Sequence, residues 1–220
     1  MRKLNFEGPI NSLSLGNVTV NFLRELEKRD LDISLYPIGD QGDFTAYDKI
    51  SDDFKSWVSN IATSRLKNLC LENPSLKIWH INGSEKLLPN QYLYTFHEVD
   101  SPTEEEVNIV NIQKHVFFSS SEAAENFKNK GCENVSYIPL GFDPDFHVTE
   151  KKHLEDTIHF GLVGKFERRK NTQAIIQLWA DKFGNNPKYQ LSCLVSNPFL
   201  NQEQMNQAIQ SSLRGQNWST

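Results

Sequence analysis

From Lys3 to Arg214, short apolar runs of strand length alternate with amphipathic stretches of helix length. This alternation restricts the fold more than any other feature, because a chain so patterned forms a parallel sheet covered by helices. Strands are predicted at Lys3 to Glu7, Leu31 to Ile38, Leu76 to Ile81, Gln91 to Phe96, His115 to Ser119 and Val135 to Pro139. The first helix is predicted from about Asn17 to Arg29, where Val18, Phe22, Leu23 and Leu26 recur at helical spacing. A second covers Phe54, Trp57, Val58, Ile61 and Leu66. A third starts after Pro102, with Glu104 to Glu106 at the positive end of its dipole, and a fourth runs from Ser120 to Lys130, closed by Gly131.

Around Pro144 to Asp156 the pattern lapses into charged and His-containing residues, as a linker does. Two domains are therefore expected, residues 1–150 and 151–220. The second has strands at Ile158 to Gly164 and Tyr189 to Val195, and helices at Asn171 to Phe183 and Asn201 to Arg214. Two strands and two helices cannot bury a doubly wound sheet on both faces, so this domain is expected to be partial, with open sheet surface available for self-association.

Composition excludes several function classes. The 28 acidic and 23 basic residues leave a net charge of -5. Through Glu150 there are 14 Lys plus Arg against 23 Asp plus Glu, and from Lys151 onward 9 against 5. An acidic bulk disfavours a nucleic-acid binder, while a basic group near Lys165 to Lys170 suits a small anionic ligand. No run approaches the roughly 18 apolar residues of a membrane span. Cys70, Cys132 and Cys193 lie far apart without a CxxC pair, as idle thiols in a reducing compartment do, and a cytoplasmic location is expected. Two DxD strings, Asp30 to Asp32 and Asp143 to Asp145, follow a helix and fall in the linker, respectively. Basic side chains and helix dipoles supply the same neutralisation, so no metal and no cofactor are expected.

The most informative stretch is IHFGLVGKFERRKNTQAIIQLW, from Ile158 to Trp179. A buried strand delivers Gly164 and Lys165 to its carboxyl end, and Lys170 follows at the mouth of a helix headed by Asn171 or Thr172. Backbone NH groups and two ammonium groups converging there make an anion site. The alternative is a solvated basic turn.

This stretch resembles the "G-R-L-x-x-x-K-G" element of retaining glycosyltransferases with the GT-B fold, notably glycosyltransferase family four. NVSYIPLGFDPDF, from Asn134 to Phe146, is similar to that family's "v-x-v-I-P-n-G-v-D-x-x-x-F" at the end of its N-terminal domain. HVFFSSSEAAENFKNKG resembles its "D-x-v-i-a-x-S-x-x-x-x-x-x-l-x-x-x-G", and YTFHE, from Tyr94 to Glu98, its "v-x-T-x-H" strand end. Order and spacing agree for all four elements over roughly residues 90 to 180.

The resemblance implies an N-terminal Rossmann-like, acceptor-side domain followed by part of a nucleotide-sugar-binding domain. It also implies transfer of a sugar, with retention, from a nucleotide-diphosphate sugar to a carbohydrate or glycolipid acceptor. Lys165 and Lys170 correspond to the basic pair at the donor diphosphate, although Lys165 stands where the family carries Arg and Asn171 where it carries Gly. The loop Ser12 to Asn17 takes the place of a Gly-rich loop, and Gly16 and Asn17 are its donor-binding candidates. His97 aligns with a catalytic-centre His near the transferred sugar, with Glu98 and Asp100 as acceptor-binding candidates on the same loop. The family's acidic pair of Glu would fall after Arg214, so the chain reads as truncated and its own turnover as open. Competing readings are a non-catalytic sugar- or partner-binding remnant and an NAD-dependent Rossmann enzyme. The latter lacks GxGxxG after the first strand.

Overall fold

The computed structural model describes residues 2–39, 42–45, 47, 49–142, 156–197 and 199–213. The chain divides into two compact units, Met1–Phe146 and His147–Thr220. The string Asp143 to Asp145 and most of the expected linker lie outside the described residues.

The first unit is a Rossmann-like α/β layer structure. Its strands are β1 (Arg2–Pro9), β2 (Leu31–Ile38), β3 (Ser75–Ile78), β4 (Gln91–Thr95), β5 (His115–Phe118) and β6 (Val135–Tyr137). They form one six-stranded sheet in the order β2-β1-β3-β4-β5-β6, with every pairing parallel. In this order the chain reverses its direction of progress between β1 and β3, which is the switch point at which open α/β sheets take ligands outside their carboxyl ends.

Two helical layers sandwich the sheet. Helix α1 (Ser14–Glu27) and helix α2 (Asp52–Thr63) bring Leu15, Val20, Leu23, Phe54 and Val58 onto Phe6, Ile33, Leu35, Ile78 and Tyr94. Helix α4 (Glu104–Ile112) and helix α5 (Ser121–Asn129) bring Val110, Ala123, Ala124 and Phe127 onto Leu93, Val116, Phe118 and Val135. Leu93 and Tyr94 fall in different clusters because successive strand residues point to opposite faces.

Several predicted boundaries move, each for a local reason. The single helix expected around Phe54 to Leu66 breaks into α2 and the short α3 (Arg65–Asn68), where the Ser64 hydroxyl donates back to the Asn60 carbonyl at 2.7 Å. Strand β3 ends at Ile78 rather than Ile81, since the chain turns there and Ser84 N donates to Ile81 O at 2.9 Å. Buried Gln91 and Gln113 tie this turn down, both donating to the Ser84 carbonyl, at 3.3 and 2.8 Å. Gly131, with φ +89°, closes α5 as expected of a left-handed terminal glycine.

The second unit pairs β7 (Ile158–Lys165) with β8 (Tyr189–Ser196) in parallel, with α6 (Thr172–Phe183) between them in sequence and α7 (Gln202–Leu213) after them. Its core is small: Phe166, Ile176 and Met205 are buried, and Val163 and Leu194 are each 75% exposed. A cluster of Phe160, Trp179, Phe183 and Tyr189, with ring centroids 4.7 to 6.4 Å apart, adds to it. Among the described residues no helix is long and apolar enough to cross a membrane. Cys70, Cys132 and Cys193 carry no disulfide.

Candidate functional site

Among the described helices of eight or more residues, two N-termini differ from the rest. Helices α2, α4 and α5 are capped by Ser51, Thr103 and Ser120, whose hydroxyls accept from Phe54 N, Glu106 N and Ala123 N. Helix α7 is capped the same way, with Gln204 N donating to Asn201 Oδ1 at 2.9 Å. Helices α1 and α6 have no side-chain cap, so the donors of their first turns keep their capacity for another acceptor.

In the second unit, β7 hands the chain to α6 through a turn built by two residues with positive φ. Gly164 has φ +151° and Asn171 has φ 53°, in the left-handed region. Between them Phe166 plugs the small core, Arg168–Lys170 forms a 3-10 turn, and Lys165, Arg168 and Lys170 stand exposed. The Thr172 hydroxyl donates to the Lys165 carbonyl at 2.8 Å and locks the two ends of the turn together. Asn tolerates the left-handed region better than other residues with a side chain, which explains how it can stand where a glycine is expected. Arg169 is engaged with Glu167 at 3.2 Å.

In the first unit, the residues after β1 depart from expectation. Helix α1 starts at Ser14, so Gly16 lies within its first turn rather than in an open loop. The Asn11 side chain starts that turn by accepting from Leu13 N at 2.9 Å. A Cβ on Gly16 would stand 2.4 Å from Asn11 O and 2.8 Å from Asn11 N. The close approach this glycine permits is to its own loop, at Asn11. Gly16→Ala is expected to cost about 1 to 3 kcal/mol by overpacking, read as a lower urea midpoint with unchanged slope. A loss below about 0.5 kcal/mol would show the loop free to yield.

Asn17 is exposed and lines a groove of about 780 Å³ that runs along α1. One wall is polar: Asn21 Nδ2 donates to Asn17 Oδ1 at 2.8 Å, and Arg24 Nη1 donates to Asn21 Oδ1 at 3.3 Å. The other wall is apolar and includes Phe22, Phe96, Ile138 and Leu140. Tyr94 ties the apolar wall together, its ring 5.8 Å from Phe22 and its hydroxyl donating to Ile138 O at 3.2 Å. No single residue type announces the groove. Its sequence signal is the lengthwise split of α1, with Ser14, Asn17, Asn21 and Arg24 along one stripe and Val18 and Phe22 along the next.

His97 follows the carboxyl end of β4, on the same sheet edge as the start of α1, but its ring turns inward. The side chain is 4% exposed, sits edge-on to Phe127 at 5.0 Å and has Nε2 at 3.5 Å from Glu106 Oε2. Neither ring nitrogen has a hydrogen-bond partner. Packed this way, the ring faces Phe127 and Glu106 rather than open solvent. Glu98 and Asp100 are exposed on the loop beyond. The exposed imidazole near the switch point is instead His80, just past the end of β3 and 5.2 Å from the Trp79 ring. From the sequence His80 reads as a structural residue closing its strand, because the register that places β3 beside β1 is not visible in the chain.

Asp30 and Asp32 lie at the amino end of β2, the edge opposite to the switch-point crevice. Among the described residues no cluster of three or more His, Cys, Asp or Glu side chains could hold a metal ion. Gly16, Asn17 and His97 thus belong to the first unit and Lys165 and Lys170 to the second, each at the carboxyl edge of its own parallel sheet. No family model matches this sequence, and no curated protein matches it.

Proposed function

We propose that this protein is a GT-B-type glycosyltransferase that moves a sugar, with retention, from a nucleotide-diphosphate sugar to a hydroxylated acceptor. The observation that carries the reading is the N-terminus of α6, the one the resemblance assigns to the donor diphosphate: it has no side-chain cap, and Lys165 and Lys170 stand exposed at its mouth. Oriented NH groups and fixed cations are what a diphosphate requires.

In the reaction the bond from the anomeric carbon to the diphosphate oxygen breaks, and the electron pair leaves with the nucleoside diphosphate. The acceptor hydroxyl oxygen bonds to the anomeric carbon, and its proton passes to the departing phosphate or to solvent. Lys165, Lys170 and the α6 NH groups hold the negative charge that grows on the leaving group. Asn17 offers an amide to sugar or acceptor hydroxyls, and His80 supplies the exposed imidazole at the first unit's edge.

Binding and transfer assays with a panel of nucleotide sugars test this reading, alongside the matching nucleosides and NAD. Binding is expected to require the diphosphate, and transfer to fall more with His80→Ala than with His97→Ala. Binding of NAD without any nucleotide sugar would replace the reading with a dehydrogenase, and binding of neither would leave a non-catalytic protein.

A further inference from the structure

We infer that the groove along α1 is a binding site for an elongated, uncharged amphiphile: a sugar head carrying an alkyl or aryl aglycone. As a statement about the acceptor, this rests on the glycosyltransferase reading. The site itself is tested without any transfer.

Length comes first. The groove is lined from Ser14 to Lys28, the whole of α1 and one residue beyond, or about 20 Å at 1.5 Å per residue. Its volume of about 780 Å³ lies in the range of small-molecule clefts and exceeds what one monosaccharide fills. Surface chemistry comes second. On one side Ser14, Asn17 and Asn21 present hydroxyl and amide groups at successive helical turns, spaced to meet several hydroxyls. On the other, Phe22, Phe96, Ile138 and Leu140 present aromatic and aliphatic surface, with Ile138 42% and Leu140 52% exposed. Uncovered apolar surface of this kind, beside convergent polar groups, is what an aglycone covers.

Charge decides between a neutral and an anionic head. The rim carries Arg24, Lys28 and Lys49 against Glu25 and Glu27, and Lys28 is spent on Glu25 at 2.6 Å. Arg24 donates to Asn21 and to the Lys49 carbonyl. Such a nearly balanced rim has no field to select a phosphate, so the head is a neutral polyol. The site lies wholly in the first unit and uses the carboxyl ends of β4 and β6, where Tyr94 fixes Ile138.

The test is amide NMR titration of the full chain with n-octyl β-glucoside, kept below its micelle-forming concentration, against methyl β-glucoside. The octyl compound is expected to bind at least about tenfold more tightly, because only two buried methylenes are needed for that factor. Shifts should concentrate on α1 and residues 138–142. They should vanish in Leu140→Glu and persist in Leu87→Glu, a control at an exposed position outside the groove. Equal affinity for the two glycosides, no saturable shift, or binding that survives Leu140→Glu would overturn the inference. None of these outcomes bears on donor binding by Lys165 and Lys170, so the broader reading fails or stands separately.

Discussion

Glu7→Ala is expected to destabilise the protein by about 3 kcal/mol, the low end of the range for breaking a buried ion pair. Lys77 sits in the middle of the sheet with its side chain 6% exposed, and its ammonium lies 3.2 Å from Glu7 Oε1. The two residues are direct partners in the β1–β3 register, so the carboxylate is positioned by the ladder itself. Removing it strands a cation that cannot reach water. The low end of the range applies because the Glu7 side chain is 28% exposed and already partly screened. The double replacement Glu7→Leu with Lys77→Met removes both charges and is expected to recover most of the loss. Urea unfolding of the three variants measures this directly. A Glu7→Ala loss below about 1 kcal/mol would mean that water or another group compensates Lys77.

That pair marks the limit of what periodicity conveys. In β1, Leu4 and Phe6 announce the face that α1 and α2 cover, and the alternation is silent on what covers Asn5 and Glu7. Asn5 is 2% exposed, donating through Nδ2 to the Cys70 carbonyl at 2.9 Å in the segment that follows α3. Hydropathy cannot distinguish a polar face open to water from one covered by a polar layer. The order of elements was legible because helices and strands differ in period. The all-parallel order followed because each strand is separated from the next by a crossover long enough to carry the chain back to its starting edge.

Site residues were legible to the extent that backbone placement decides them. His97 and the β1–α1 connection fall on the same sheet edge, as alternation requires in a parallel sheet. Which way His97 points depends on Phe127 and Glu106, contributed by helices that follow it in the chain, and no local pattern encodes that rotamer. The glycine at position 16 invited a functional reading, since glycine marks close backbone approach. Sequence alone does not say what approaches, and here it is Asn11. The Lys165 to Lys170 turn was the most legible of all, because strand, positive-φ residue, basic turn and helix are contiguous.

The same turn carries the largest expected effect on activity. In the proposed transfer, negative charge would concentrate on the leaving phosphate as the sugar departs, and a nearby cation stabilises that state more than the intact donor. The Thr172 bond to the Lys165 carbonyl and the 3-10 turn that closes on Asn171 fix the backbone at both lysines, so a bound diphosphate has only their side chains to order. Lys165→Ala and Lys170→Ala are each expected to lower turnover on the order of 100-fold, roughly 3 kcal/mol, at saturating donor. Arg168→Ala and Arg169→Ala provide charge-matched controls from the same turn. Arg169 is already directed to Glu167, with 64% of its side chain in solvent. A diffuse field would respond to all four substitutions alike and would fade as salt shortens the screening length to a few ångströms near 1 M. Contact with the leaving group predicts a sharp split, with large losses at Lys165 and Lys170, small ones at the two arginines, and a residual lysine effect that persists at high salt. Equal losses at the four positions would assign the turn to attraction of the donor rather than to the chemical step.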